Sequence, residues 1–372
     1  MSSLFAAAAL LALSATAMVG ADTIRVAIAE NARAADLRGL DIEVSELGCA
    51  ACPRPGWRAD TVRAVANGQG VEISGRLAPA FRLTSDAPIR MNGREYPATL
   101  EIVRHGDGLA IVNELRLEEY VVGVLRAETS ERWPLETLRA QAIVARTYAA
   151  FHRASSGTKP YHVVASTTHQ MYLGHVPASS PIWDAVRDTA GQVLLWDGEL
   201  FPAFYHSTSG GYTEDPRTVF AARNMPALKA IRDEFSAAAP HFYWTLDLKL
   251  ADLADILRRN GYDVGTVTAI EVTERTPSLR VASLTVHGTR SPARLRGNDF
   301  RRMVGYETVK STLFAVALDG AVARFSGRGY GHGVGMSQWG AKGMAEQGYK
   351  AEKILEYYYP GATLGFLGAR SR

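Results

Sequence analysis

The chain has 372 residues, 47% hydrophobic and 21% charged, with a formal net charge of +3. That length supports a sizeable core and two or three packed units, and so small a charge does not indicate a nucleic-acid footprint. After the amino terminus no segment is apolar over the roughly 20 residues that a bilayer span needs.

The first stretch, "MSSLFAAAALLALSATAMVGAD", is apolar from Leu4 to Val19 and then turns polar. Val19-Gly20-Ala21 sets small residues at −3 and −1 of a cut before Asp22. This predicts a secretory signal over residues 1–21 and an exported protein of the periplasm or cell envelope, although the segment before Leu4 carries no Lys or Arg. The run is short for an anchor, so no stable span is expected after cleavage. The chain has 2 cysteines, Cys49 and Cys52 in "GCAACPRPGW". In an exported protein a small-loop disulfide is the simplest reading. No βαβ pattern supports a redox motif, and a zinc site would need two further ligands.

Residues 22–109 read as a β-rich unit. "TIRVAIAE", "GLDIEVSEL", "GVEISGRL" and "ATLEIVRHGDGLAIVNEL" alternate β-branched and apolar residues between Gly, Asp and Asn turns. Asp107-Gly108 reads as a hairpin signal. Leu117, Tyr120, Val121, Val124 and Leu125 then share one helical face. Pro134 suits the first position of a second helix, whose stripe is Leu138, Ala142, Ala145 and Ala149. Strand signals follow at "HVVAST", "GQVLLW" and "LFPAFYHSTSGG". Residues 223–300 hold a helix and two strands, an excursion from the surrounding domain. A Gly-rich loop, "GRGYGHGVGMSQWGA", feeds two closing helices. The fold class is α+β.

Four places carry possible chemistry. Glu128 lies four residues after Val124 and seven after Val121, in phase with the apolar face. A carboxyl partly desolvated there can hold its proton and act as a general acid; a solvated acid near a helix end is the bland alternative. Arg146, in the next helix, would favour the charged form if it made contact. In "AFYHSTSGGYTED", Tyr205 and Ser207 share one strand face, ahead of Ser209, Gly210 and Gly211. His206 faces the other way, which argues against a Ser–His hydrolase, and no G-x-S-x-G elbow exists. In the Gly-rich loop, His332 and Gly333 suit close approach to a ligand, and Ser337 suits a helix cap beside Gln338. No dinucleotide fingerprint surrounds this loop. In "STTHQMYLGH", His169 and His175 lack the spacing of a metal motif, and no H-E-x-x-H occurs in the chain.

Together, "LRLEEYVVGVLRAETSERWPLETLRAQAIVARTYA", "THQMYLG", "YHSTSGG" and "GRGYGHGVGMSQWGAKGMAEQGY" resemble, in this order, the SpoIID/LytB family. The resemblance covers roughly residues 110–366. It implies a lytic transglycosylase acting on peptidoglycan strands whose stem peptides an amidase has removed. It makes Glu128 the catalytic acid and brings Tyr205, His169, Gln170 and Tyr172 to the cleft. Ser207, Ser209, Gly210, Gly211, His332, Gly333, Ser337 and Gln338 would then bind substrate. Some members hold zinc near the second block with a Cys and a His; no Cys lies there in this chain and the ligand set is not recognisable, so no metal is assigned. The implied partners are glycan strands and a cell-wall amidase. The LytB side of the family implies an alternative, a non-catalytic wall-binding protein that enhances an amidase. A zinc amidase or peptidase is a further alternative without a recognisable ligand set.

Overall fold

The computed structural model describes residues 23–48, 55–97, 99–220 and 225–368. The predicted signal segment and the Cys49–Cys52 pair lie outside them. The fold is α+β, and the chain divides into two units. The first holds the described residues up to Glu128 together with Ala149–Trp183; the second holds Thr129–Tyr148 and the residues from Asp184 onward.

The first unit is built on strands β1 (Thr23–Ala32), β2 (Ala34–Leu47), β3 (Trp57–Asn67), β4 (Gly70–Ile73), β5 (Arg76–Ala78), β6 (Ala80–Thr84), β7 (Ile89–Met91), β8 (Arg94–Tyr96), β9 (Thr99–His105), β10 (Gly108–Arg116) and β11 (Val163–Val164). They form one 11-stranded sheet whose main path runs β11-β1-β10-β9-β6-β2-β3-β4-β5. A charge ladder crosses four adjacent strands. Arg25 pairs with Glu114 and Glu101, and Arg82 pairs with Glu101 at 2.6 Å. Opposite charges at facing positions favour this register.

The turn chemistry departs from the predicted signals in two places. "GVEISGRL" is two strands, because Ser74 and Gly75 both take positive φ (51° and 73°) and close a tight hairpin. The β9–β10 turn is Gly106-Asp107, with Gly108 already paired to His105. Gly106 supplies the positive φ of 58° at the first turn position, the geometry of a II′ turn.

Helix α1 (Leu117–Glu128) buries Leu117, Tyr120, Val121, Val124 and Leu125, the predicted face. Each fully buried large aliphatic contributes about 1.5–3 kcal/mol. Glu118 and Glu119 lie in its first turn and Arg126 in its last, matching the helix dipole.

Helix α2 (Leu135–Ser155) begins one residue after Pro134, whose carbonyl accepts from Leu138 N–H at 3.2 Å. Pro134 therefore caps the helix rather than opening it. The predicted stripe of α2 is buried, but so is every residue from Ala140 to Ala150. Fully buried Arg146 is tolerated because its guanidinium donates to the carbonyls of Gln192 at 3.1 Å and Val186 at 3.4 Å.

In the second unit, β12 (Gln192–Trp196) pairs with β13 (Glu199–Leu200) and β22 (Thr363–Phe366), after helix α3 (Ile182–Asp188). β14 (Tyr205–His206) pairs in parallel with β21 (Met336–Ser337). One apolar cluster surrounds this pair. It joins Ile143 and Val144 of α2 to Val334, Met336, Ala341 and Met344, and to Ile354 and Tyr358. Ala341 and Met344 belong to α7 (Gln338–Glu346), and Ile354 and Tyr358 to α8 (Ala351–Tyr358). Short helix α4 (Pro216–Phe220) follows the strand.

A second apolar cluster runs from Trp244 to Phe325. It lies between two sheets and two helices. One sheet orders β15 (Tyr243–Lys249), β20 (Val322–Arg328) and β19 (Phe314–Asp319), with β20 central. The other orders β16 (Val267–Arg275), β17 (Val281–Gly288) and β18 (Ala293–Arg296). The helices are α5 (Leu250–Arg259) and α6 (Gly297–Val304).

Candidate active site

Glu128 is the last residue of α1 and is half-buried. Its Oε1 accepts the Met171 backbone N–H at 2.9 Å, so a main-chain donor fixes the carboxyl plane. Met171 belongs to the loop after β11. That loop is shaped by a bridge between Ala165 and Gln170 and by a turn from His169 N–H to Ser166 O at 3.0 Å. Gln170 and Tyr172 anchor it. Tyr120 OH donates to Gln170 Oε1 at 3.1 Å, and Tyr172 OH donates to Asn113 Oδ1 at 2.8 Å. The Tyr172 ring is wholly buried and packs on Tyr120 with centroids 5.2 Å apart. The structure thus places Gln170 and Tyr172 in the interior, where a saccharide does not reach; their geometry suits holding the loop that holds Glu128. His169 is half-buried, edge-on to His152 with centroids 4.9 Å apart. Burial holds its pKa down, with Lys159 acting in the same direction.

In the second unit the predicted Tyr-His-Ser-Thr-Ser-Gly-Gly and Gly-rich segments lie side by side. Tyr205 pairs with Met336 and His206 with Ser337, Thr208 bridges Tyr330, and Glu214 bridges Val334. The close approach depends on Gly335. Its φ is 71°, and a Cβ there would stand 1.9 Å from the Phe204 carbonyl oxygen. Tyr205 and Ser207 share a half-exposed face, while His206 and Thr208 point inward. Trp339 N–H donates to Ser207 O at 3.0 Å. Beside it, the half-exposed indoles of Trp133 and Trp339 meet edge-to-face at 5.3 Å, a surface on which sugar rings stack well.

Several predicted substrate binders are instead buried. Ser337 caps α7, its Oγ accepting from Gly340 N–H at 3.2 Å and from Ser209 N–H at 3.3 Å. Ser209 is fully buried and donates to Asp233 Oδ2 at 2.6 Å. Asp233, also buried, accepts from Tyr358 OH at 2.9 Å and Phe235 N–H at 3.1 Å. Burial and the Asp233 charge push the Tyr358 phenol well up, so it stays a donor. Gly210, Gly333 and Gln338 are buried as well. This leaves Tyr205, Ser207, Gly211 and His332 as the half-exposed members of the predicted set in this unit.

His332 differs from its expected role as an open ligand contact. It is walled by Phe220 at 5.2 Å, His206 at 5.6 Å and Phe204 at 5.8 Å. Its Nδ1 accepts Val334 N–H at 3.0 Å. Burial, helped by Arg301 and Arg280, pushes its pKa down to about 3, so it is a neutral ring. His206 donates from Nδ1 to Val334 O at 3.2 Å, and burial also holds it well below the usual range.

The sequence reading missed Asp233, Trp133 and Trp339, and the buried side chains of Arg280 and Glu214. Arg280 Nη2 donates to Ser209 O at 2.8 Å, while Glu214 Oε2 accepts from Thr276 at 2.6 Å and Ser278 at 2.5 Å. Trp133, Glu214 and Trp339 lie inside the motifs that carry the family resemblance or the candidate chemistry, whereas Asp233 and Arg280 carried no sequence signal. Among the described residues no group of three or more His, Cys, Asp or Glu side chains is placed to hold a metal.

Residues 105–196 match the family model described as Stage II sporulation protein. Stage II sporulation protein D of Bacillus subtilis is 29% identical over 269 residues, covering 68% of this chain and 75% of that one. Over most of its length the chain is similar to proteins of the SpoIID family. An uncharacterized protein of Brachyspira hyodysenteriae is 29% identical over 309 residues, 82% of each chain. The Amidase enhancer of Bacillus subtilis is 31% identical over 290 residues, 65% of this chain but 40% of that one. The SpoIID match contains Glu128 and the loop that holds it. Residues 213–335 match a Domain of unknown function (DUF8618), which contains His332 and the second apolar cluster. Tyr205–Gly211 falls between the two matches.

Proposed function

We propose that the protein is exported and cleaves peptidoglycan glycan strands as a lytic transglycosylase, acting where an amidase has removed the stem peptides. The observation that carries this reading is Glu128, half-buried at the end of α1 with one oxygen held by Met171 N–H. A fixed, partly sheltered carboxyl is what general-acid chemistry needs. The protonated Glu128 gives its proton to the glycosidic oxygen as the bond from C1 breaks through an oxocarbenium-like state. The muramic C6 hydroxyl then attacks C1 and returns its proton to Glu128. The product is a 1,6-anhydro-muramic end, and no water is consumed. The internal hydroxyl supplies proximity in place of a second carboxylate. Within the second unit, half-exposed Tyr205 and Ser207 and the Trp133–Trp339 pair offer a polar and aromatic surface suited to glycan.

The relative named Amidase enhancer supports a second reading, a wall-binding protein that stimulates an amidase without cleaving glycan. Digestion of amidase-stripped strands by wild-type and Glu128→Gln protein separates them. The amide oxygen still accepts Met171 N–H, so the variant keeps its fold. The enzyme reading expects anhydro ends from the wild type and a loss of at least about 100-fold in the variant. Retained binding with no product from either protein favours the enhancer reading.

A further inference from the structure

A groove of about 510 Å³ opens at one end of the β15–β20–β19 sheet. This lies within the roughly 300–1,000 Å³ typical of small-ligand sites. It falls in the domain of unknown function, and none of the residues discussed for catalysis lines it. Its floor is Trp244, whose ring fits because Gly327 has no side chain; a Cβ there would stand 2.2 Å from the indole. The Trp244 Nε1–H is buried and has no acceptor among the described residues.

Its rim is more informative. Tyr243 is 73% exposed and Leu279 is 50% exposed. Leu279 also takes a positive φ of 66°, a conformation that a leucine rarely adopts without cause. Arg275 holds it there, donating to Leu279 O at 2.8 Å and to Phe314 O at 3.0 Å. Tyr243 faces Arg328 across the β15–β20 register. Arg328 is half-exposed and pairs with no carboxylate among the described residues. It also reaches the Ser-Gly-Gly turn, where a Cβ on Gly211 would lie 4.0 Å from Nη1.

An open tyrosine face beside an unpaired guanidinium suits a ligand with a flat apolar ring face and a carboxylate. A peptide-stripped glycan strand has both: each muramic acid carries a free lactyl carboxylate, which the stem peptide otherwise converts to an amide. We propose that this groove is an accessory saccharide subsite in which Tyr243 stacks on a sugar ring and Arg328 pairs with the lactyl carboxylate of muramic acid. This rests on the reading of glycan strands as the substrate, and it gives that reading a source of preference for stripped strands.

The test is calorimetric binding to the full chain carrying Glu128→Gln, which blocks turnover. The probes are a tetrasaccharide of alternating N-acetylglucosamine and muramic acid with free carboxylates, and the same tetrasaccharide with those groups converted to carboxamides. The acid form should bind about tenfold more tightly than the amide. Arg328→Gln should bring that ratio to about one, while Arg328→Lys retains part of it. Tyr243→Ala should weaken both probes by about tenfold. Both side chains are on the surface, and unchanged melting temperatures would show that the variants fold. Tight binding that none of these substitutions alters overturns the subsite and leaves the enzyme reading standing. No binding of either probe to the parent protein overturns both.

Discussion

Replacing Asp233 by alanine is expected to destabilise the second unit by about 3 kcal/mol. The carboxylate is buried and receives three donors: Ser209 Oγ at 2.6 Å, Tyr358 OH at 2.9 Å and Phe235 N–H at 3.1 Å. A hydrogen bond to a charged partner contributes about 1.5–3 kcal/mol, so the gross loss is several kcal/mol. Removing a desolvated charge returns part of this. The donors left behind are themselves buried, which keeps the net effect clearly destabilising. Asp233→Asn is the control. Its amide oxygen still accepts from Tyr358 and Phe235, and its NH₂ faces Ser209 Oγ, so it should cost about 1 kcal/mol. Urea unfolding of the full chain, followed by tryptophan fluorescence, reads both values. If alanine costs less than about 1 kcal/mol, or asparagine as much as alanine, the carboxylate is not the hub that fixes the Ser-Gly-Gly turn.

Two further outcomes follow from the same region. Ser337→Ala removes the cap of α7 and the acceptor for Ser209 N–H; a loss of about 1–2 kcal/mol in the same urea assay is expected. Stability should also fall as pH drops below about 6.5. His332 is held near pKa 3 and His206 well below its usual value, so between those values and about 6.5 the unfolded chain binds protons that the folded chain does not. Each such group contributes a slope of up to about 1.4 kcal/mol per pH unit. The stability is fully present above the unfolded pKa and is lost toward acid. His332→Gln should flatten the slope between pH 6 and 4; an unchanged slope would mean that the ring is protonated in the fold.

What could be read from the sequence was local. The face of α1 follows from spacing alone; Glu128, which the sequence sets in the polar turn beyond that face, is the last residue of the helix. The strands of "TIRVAIAE", "VTAIEVTER" and "VASLTVHG" follow from alternation. Helix α2 showed a stripe yet is buried all round, because a helix rich in alanine carries little periodic contrast and Arg146 hides its charge in backbone carbonyls. The two-residue strands β14 and β21 are too short for any period. They are placed by a parallel pairing 131 positions apart, and only family resemblance linked their segments beforehand. Burial of Tyr172, Ser209 and Ser337 was equally hidden. Polar residues in a recognisable motif read as ligand contacts, whereas here their hydroxyls bond to Asn113, Asp233 and backbone N–H groups inside the core.

The most direct measurement is mass spectrometry of glycan fragments released from amidase-stripped strands in water carrying heavy oxygen. Cleavage by Glu128 with the internal hydroxyl predicts anhydro-muramic ends without the heavy label, and none from Glu128→Gln. Labelled reducing ends would show that water is the nucleophile, and equal product from the variant would take the proton away from Glu128.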